Sequence, residues 1–229
     1  MLNKNHSLVN YRGFQFLYRT LQKHSEHAPT KATVKGRIWE KKLFDIYRNI
    51  ITKEDVVIDV GAYIGTHTLP FSHYAKRVIA FEPNQDCFGT LVMNLSLNDV
   101  KNVQFWDLAL ADKEGQEFFG SRNDGTSRFV SEKTLHEKQD VGMVKTTTLD
   151  ILYPHLDGVK LLKIDIEGAE FRMLEGAKDL IQRNRPDILI EVFRHKRGIL
   201  NEWCIKNKYS KTWLRGDDFH LEPLSLSPQ

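Results

Sequence analysis

Apolar and polar positions follow two different periods along this chain, and the changeovers mark its elements. From Val56 onward the apolar residues cluster in short, mostly apolar runs: Val56–Val60, Val78–Glu82, Val103–Ala109, Val159–Ile166 and Ile188–Phe193. Such β-branched runs suit strands buried on both faces. Between them, apolar residues recur at helical spacing over Gly65–Ala75, Gln85–Leu97 and Ala169–Arg183. Asn84 is a good N-cap for the second of these helices, and Pro186 stops the third. A helix over Gly198–Lys208 and a hairpin over Lys211–Leu221, turning at Gly216-Asp217, complete the series. The alternation predicts an α/β fold, a doubly wound and mostly parallel sheet with helices on both faces and an antiparallel hairpin at the end.

Two stretches break this pattern. Gln116–Thr148 reads as an inserted pair of short strands around a long polar loop. That loop is either a solvated hairpin tip or a segment reaching the ligand crevice, because in open α/β sheets the crevice is built by loops after the strands. Residues 1–36 mix aromatics and bases (Tyr11, Phe14, Phe16, Tyr18) before a polar stretch, and read as a short strand or helix on the domain edge, or as a lid. Trp39, Leu43, Ile46, Tyr47, Ile50 and Ile51 predict an amphipathic helix over Ile38–Ile51. The organisation expected is an N-terminal, partly helical extension over 1–52, one domain over 53–224 and a disordered tail over 225–229.

The stretch VVIDVGAYIGTHT, Val56–Thr68, carries the first chemistry: a strand ending near Asp59, a glycine turn, and a helix opening with Thr66 and Thr68. Free N–H groups at a helix start attract polar or anionic ligand groups. The spacing Asp59-x-Gly61-x-x-x-Gly65 lacks the third glycine of a dinucleotide fingerprint and the lysine of a phosphate loop. The next strand ends on Glu82, placed to accept hydrogen bonds from ribose hydroxyls. Together these features read as an S-adenosylmethionine site, and the glycine spacing argues against an NAD-dependent oxidoreductase.

Composition narrows the partners. The 229 residues are 41% hydrophobic and 28% charged with a net charge of +3, ordinary for one soluble domain and too weakly basic for nucleic acid. Two cysteines, Cys87 and Cys204, make no disulfide framework. With no bilayer-spanning run and no signal-peptide core at the N-terminus, a cytoplasmic protein is expected. Nothing in the pattern assigns an oligomeric state.

The blocks VVIDVGAYIGTHT, VIAFEPN, LVMNLSLND, DLALADKEG, TTTLD, LLKIDIEGAEFRMLEGA and RPDILIEV, in this order, resemble the FkbM-type family of S-adenosylmethionine-dependent methyltransferases. The resemblance covers residues 53–193 and implies a seven-stranded, Rossmann-like class I methyltransferase sheet. It also implies O-methylation of sugar or other small-molecule hydroxyls. By position, Asp59, Gly61, Ala62 and Gly65 would line the methionine end of the cofactor and Glu82 the ribose. Asn84, or Asp107 with Leu108, would lie by the adenine, and Thr66 and Ser127 are candidates for the cofactor's carboxylate.

A hydroxyl acceptor needs a general base or a metal ion. Asp165 ends its strand beside the crevice and is the first candidate base; Glu167 follows on the turn, and Glu191 and His195 leave the next strand nearby. The alternative has Asp165, Glu191 and His195 holding magnesium or manganese. Spacing alone does not make a metal site, so general-base catalysis on a glycan or small-molecule acceptor is the preferred reading. A silent cofactor-binding protein of the same fold is the remaining alternative.

Overall fold

The structure, a computed structural model, describes residues 6–11, 13–21, 25–121, 127–130 and 140–225. The chain begins with a hairpin of β1 (His6–Tyr11) and β2 (Phe14–Arg19), followed by α1 (Ala28–Val34) and α2 (Lys41–Ile50). The extension is therefore a β-hairpin plus two helices, and not helical alone. Val9, Tyr11, Phe16 and Tyr18 are buried at every second position, which is the strand period. The hairpin's outer edge is held by two asparagines of α4 (Gln85–Leu97) and its end. The Asn94 and Asn98 side chains each accept a backbone N–H from β2, at Arg19 and Leu17, and donate back to the carbonyls of the same residues.

The central sheet has the order β12-β13-β11-β10-β3-β4-β5. β3 (Val56–Val60), β4 (Arg77–Phe81), β5 (Val103–Trp106), β10 (Val159–Ile164) and β11 (Asp187–Glu191) are parallel. β12 (Tyr209–Arg215) and β13 (Asp218–Pro223) add the antiparallel hairpin at one edge. This is the doubly wound sheet that the alternation predicts. Its central strands are buried on both faces, Ile58 and Ile79 facing one core and Val57 and Val78 the other. Each such side chain contributes about 1.5–3 kcal/mol.

The breaks in the predicted elements have local causes. The helix expected over Gly65–Ala75 starts only at Thr68 (α3, Thr68–Tyr74), because the glycine turn occupies the preceding residues. The third strand leaves the sheet after Trp106, and β6 (Ala109–Leu110) joins β7 (Gly115–Ser121), β8 (Ser127–Phe129) and β9 (Asp140–Thr147) in a separate four-stranded sheet. After the short α5 (Leu149–Leu152), the helix expected over Ala169–Arg183 is two, α6 (Glu170–Glu175) and α7 (Lys178–Asn184). Gly176 separates them where the chain passes the strand-three return: a Cβ there would lie 2.0 Å from the carbonyl oxygen of Ala111. The freed N–H groups of α7 are capped from elsewhere, since Asp150 accepts from Asp179 N and Leu180 N at 3.0 and 2.8 Å. α8 (Arg197–Asn207) packs by β12. Of the tail expected to be disordered, residues 226–229 lie outside the described residues. Among the described residues no helix is long and apolar enough to cross a membrane.

The contact at Gly176 gives a stability prediction. Gly176→Ala should lower the urea midpoint by the equivalent of about 1–3 kcal/mol without changing the slope. Gly198→Ala, in α8 with nothing within 4 Å of the added Cβ, should be neutral or stabilising by about 0.4–1 kcal/mol.

Candidate active site

The parallel strands reverse their order of succession on either side of β3, and the turn after β3 opens the crevice there. That turn is tied to both neighbours. Gly61 N and Ala62 N both donate to the Phe81 carbonyl at the end of β4, at 3.0 Å. On the other side, a Cβ on Gly61 (φ +81°) would lie 1.9 Å from the Asp165 carbonyl oxygen. Gly61 is thus required by the approach of another strand end. Gly65 (φ +89°) lies over the Leu91 side chain of α4, which a Cβ would meet at 2.9 Å. Both glycines are thus needed for chain packing at the turn.

A cavity of about 1130 Å³, its open mouth included, fills the crevice. On the β4 side it is lined by Glu82, Pro83, Cys87, Leu108 and Ser127. Glu82 is buried, and its two oxygens accept the Tyr63 and Asn84 backbone N–H groups, each at 2.8 Å. Burial pushes its carboxyl up to about 7, partly offset by those two hydrogen bonds and by Lys163.

On the β10–β11–β13 side the lining is densely charged, with Glu40, Lys163, Asp165, Glu167, Glu191 and Asp218. Lys163 is only 4% exposed. Its Nζ lies 3.4 Å from Asp59 Oδ1 and 3.5 Å from Asp165 Oδ2, and donates to the Gly61 carbonyl at 3.4 Å. Burial works against the ammonium, but Asp59, Asp165 and Glu40 outweigh it and hold its pKa above the ordinary lysine value. Glu191 is pushed the other way, up to about 9, by burial and by Asp165 beside it. Asp218 rises to about 6 through burial and Glu40, against the pull of Arg215. Burial would also raise Glu40, yet His67, Arg215 and Lys163 bring it down to about 2. Single carboxylate oxygens of Asp165, Glu167 and Glu191 lie within 4.8 Å of one another.

The structure brings Gly61, Thr66, Glu82, Leu108, Ser127, Asp165, Glu167 and Glu191 to one cavity. It places the other candidates elsewhere. Asp59 is fully buried beneath the turn, accepting from the Thr68 hydroxyl at 2.7 Å and pairing with Lys163. Ala62 and Gly65 do not line the cavity. Asn84 caps α4, accepting from Asp86 N and Cys87 N, and its amide donates to the Ser127 hydroxyl at 3.4 Å. Asp107 is exposed and accepts from the Gln85 side chain at 3.4 Å, because the chain turns away from β5 there. His195 is exposed in the 3-10 turn Arg194–Lys196, stacked near Phe193 and outside the lining, so neither the base nor the metal-ligand reading keeps it. Lys196 points inward in its place, donating to the Gly168 carbonyl.

Sequence reading missed Lys163, Tyr63, His67, Glu40 and Asp218 as site residues. Lys163 carried a signal: it stands two before Asp165 on the same strand face and opposite Asp59 in the β10–β3 register. Glu40 and Asp218 gave none, since they converge from opposite ends of the chain.

A family model described as Methyltransferase FkbM domain matches residues 59–204. The hexuronic acid methyltransferase AglP of Haloferax volcanii is 30% identical over 133 residues, covering 57% of this chain and 53% of that protein. Among solved structures, a methyltransferase FkbM from Methylobacillus flagellatus aligns with a TM-score of 0.56 at 18% identity, over 74% of this chain and 44% of that one. SMU.1697c from Streptococcus mutans, solved with SAH, aligns with a TM-score of 0.50 at 14% identity, over 79% and 94%. The fold is that of Rossmann-like class I methyltransferases, and the solved neighbours include one holding SAH. The chain spans about half to three-fifths of the length of the curated relatives it matches.

The charge cluster makes stability depend on pH. Folded, Glu191 keeps its proton up to about pH 9, while an ordinary glutamate releases it at 4.5. The folded state therefore binds more protons across that window, and stability falls as pH rises through it. Glu191→Gln should match the wild type below about pH 4.5 and exceed it by on the order of 2 kcal/mol at pH 9. Chemical unfolding across this range checks it, and equal stability at both ends would contradict it.

Proposed function

Because the chain belongs to the FkbM methyltransferase family, we propose that it is an S-adenosylmethionine-dependent O-methyltransferase. Its acceptor in this reading is a hydroxyl of a carbohydrate or similarly polar small molecule. One observation carries the proposal: a single cavity joins Glu82, at the end of β4, to Asp165 and Glu191, at the ends of β10 and β11.

The β4 side fits a nucleoside. Each Glu82 oxygen already accepts one backbone N–H, which leaves acceptor capacity for a ribose diol. A buried carboxyl with a raised pKa gains from such donors. Leu108, Pro83 and Cys87 offer an apolar wall for the adenine, and Thr66 and Ser127, which line the same cavity, are the hydroxyls assigned to the cofactor's carboxylate. S-adenosylmethionine, when bound, supplies an electrophilic methyl carbon on a sulfonium centre.

On the opposite side Asp165 accepts the acceptor hydroxyl's proton, a role worth about 10²–10⁴ in rate. Lys163 holds that carboxylate in place. Glu191, protonated at neutral pH, has a proton to donate and orients either Asp165 or the acceptor. Trp39 and Phe129 both line the cavity and offer faces for a sugar ring, whereas Trp213 is 60% exposed on the sheet edge. The similarity to a hexuronic acid methyltransferase supports an acceptor of the sugar class, while the acidic lining here favours a neutral sugar over one that carries a carboxylate. A second reading has Asp165, Glu167 and Glu191 holding magnesium or manganese, favoured by their clustering within 4.8 Å; activity lost to a chelator and restored by metal would select it.

Calorimetry with S-adenosylhomocysteine and turnover on a panel of glycans test the division of roles. Glu82→Ala should raise the Kd for S-adenosylhomocysteine by about 10–100-fold. Asp165→Asn should leave that Kd within about twofold and lower kcat by about 10²–10⁴. Equal loss of cofactor affinity in both variants would contradict the assignment, and binding without turnover on any acceptor would favour a silent binder.

A further inference from the structure

The segment between the N-terminal hairpin and α2 does more than cover the domain edge. His27, Ala28, Pro29, Trp39 and Glu40 all line the cavity, and all lie before residue 59, where the family match begins. The glycine turn holds this segment at two points. The Tyr63 hydroxyl is hydrogen-bonded to Thr30 Oγ1 at 2.8 Å, and its ring stands edge-on to His27 at 4.7 Å. Further along the turn, His67 Nε2 lies 3.2 Å from Glu40 Oε2, and Arg215 pairs with the other oxygen of Glu40.

Both attachments involve strained backbone. Tyr63 has φ +53° and Glu40 φ +52°, a region that costs a non-glycine residue about 1–2 kcal/mol. Glycine would relieve the strain at either place but would remove the side chain that makes the attachment. The Tyr63 N–H is also bound by Glu82. One residue therefore connects the carboxylate read above as the ribose acceptor, the cofactor turn, and the covering segment. Strain retained at such a junction points to function.

We propose that residues 27–40 form a lid over the acceptor side, that Tyr63 and His67 are the positioning residues holding it shut, and that cofactor binding beneath the turn tightens this closure. The proposal rests on the reading that the cavity takes S-adenosylmethionine. With the turn ordered around cofactor, the lid brings Trp39 and Glu40 to the acceptor, so that residues outside the family core set acceptor specificity. Cofactor then enters before the lid closes, and the acceptor binds to the closed form.

Hydrogen exchange on the full chain, with and without saturating S-adenosylhomocysteine, tests this without a known acceptor. In the wild type the ligand should slow exchange of amides 28–40 by about tenfold or more, as well as those of the turn. Thr30→Val, whose side chain does not line the cavity, should bind S-adenosylhomocysteine within about twofold of wild type. It should nevertheless lose most of the ligand-dependent slowing over 28–34, about tenfold for one hydrogen bond. Tyr63→Phe should lose the same ligand-dependent slowing over 28–34, and adding Thr30→Val to it should change little further. A merely structural role would speed exchange equally with and without ligand, and that result overturns the lid. Protection confined to the turn overturns it as well. Failure of the wild type to bind S-adenosylhomocysteine overturns the cofactor reading and, with it, the coupling proposed here.

Discussion

One buried ammonium organises the functional end of this fold. Lys163 lies between Asp59 and Asp165, with the Gly61 carbonyl as a further partner. The parallel register sets Lys163 directly beside Asp59, and the two-residue period of a strand turns Asp165 to the same face. Removing such charges from water costs several kcal/mol per ion, so the cluster persists only because each charge has partners, and loss of one partner typically costs about 3–5 kcal/mol. The consequence is geometric. The end of β3, its glycine turn and the end of β10 are fixed to one another, and Gly61 lets the Asp165 backbone come close. Glu82, proposed above to bind the cofactor's ribose, and Asp165, the proposed base, then line one cavity.

Around that centre the acids outnumber the bases. Glu40, Asp165, Glu167, Glu191 and Asp218 line the same side, against Lys163 and His67 in the lining and Arg215 just behind it. Mutual repulsion and burial raise the pKa values of Glu191 and Asp218, while His67, Arg215 and Lys163 hold that of Glu40 down. Such a surface suits a neutral, hydroxyl-rich acceptor, which offers donors to several carboxyls at once. An acceptor that already carried a carboxylate would meet uncompensated like charge.

Much of this was legible in the chain, for physical reasons. Strands buried on both faces are mostly apolar, so β3, β4, β10 and β11 announce themselves, and Glu82, Asp165 and Glu191 stand out as acids where those runs end. His195 misled because a residue just past a strand end can face either way: the 3-10 turn exposes it and directs Lys196 inward. Asp107 misled because β5 ends one residue earlier and the chain turns to the second sheet. The split of α6 from α7 depends on the distant Ala111 carbonyl. Glu40 and Arg215, 175 positions apart, have no common period or motif, and only the closed fold shows that they pair with each other.

The central claim is that a carboxylate base serves methyl transfer to a hydroxyl, and the stability of the product bond tests it most directly. The protein would be incubated with S-adenosylmethionine labelled in its methyl group and with neutral and uronic-acid glycans, and the labelled products then treated with mild base. The account predicts label on a neutral sugar, retained through base as a methyl ether. Label released from a uronic acid as methanol would reveal a methyl ester. That acceptor needs no base, and the result would contradict the role assigned to Asp165.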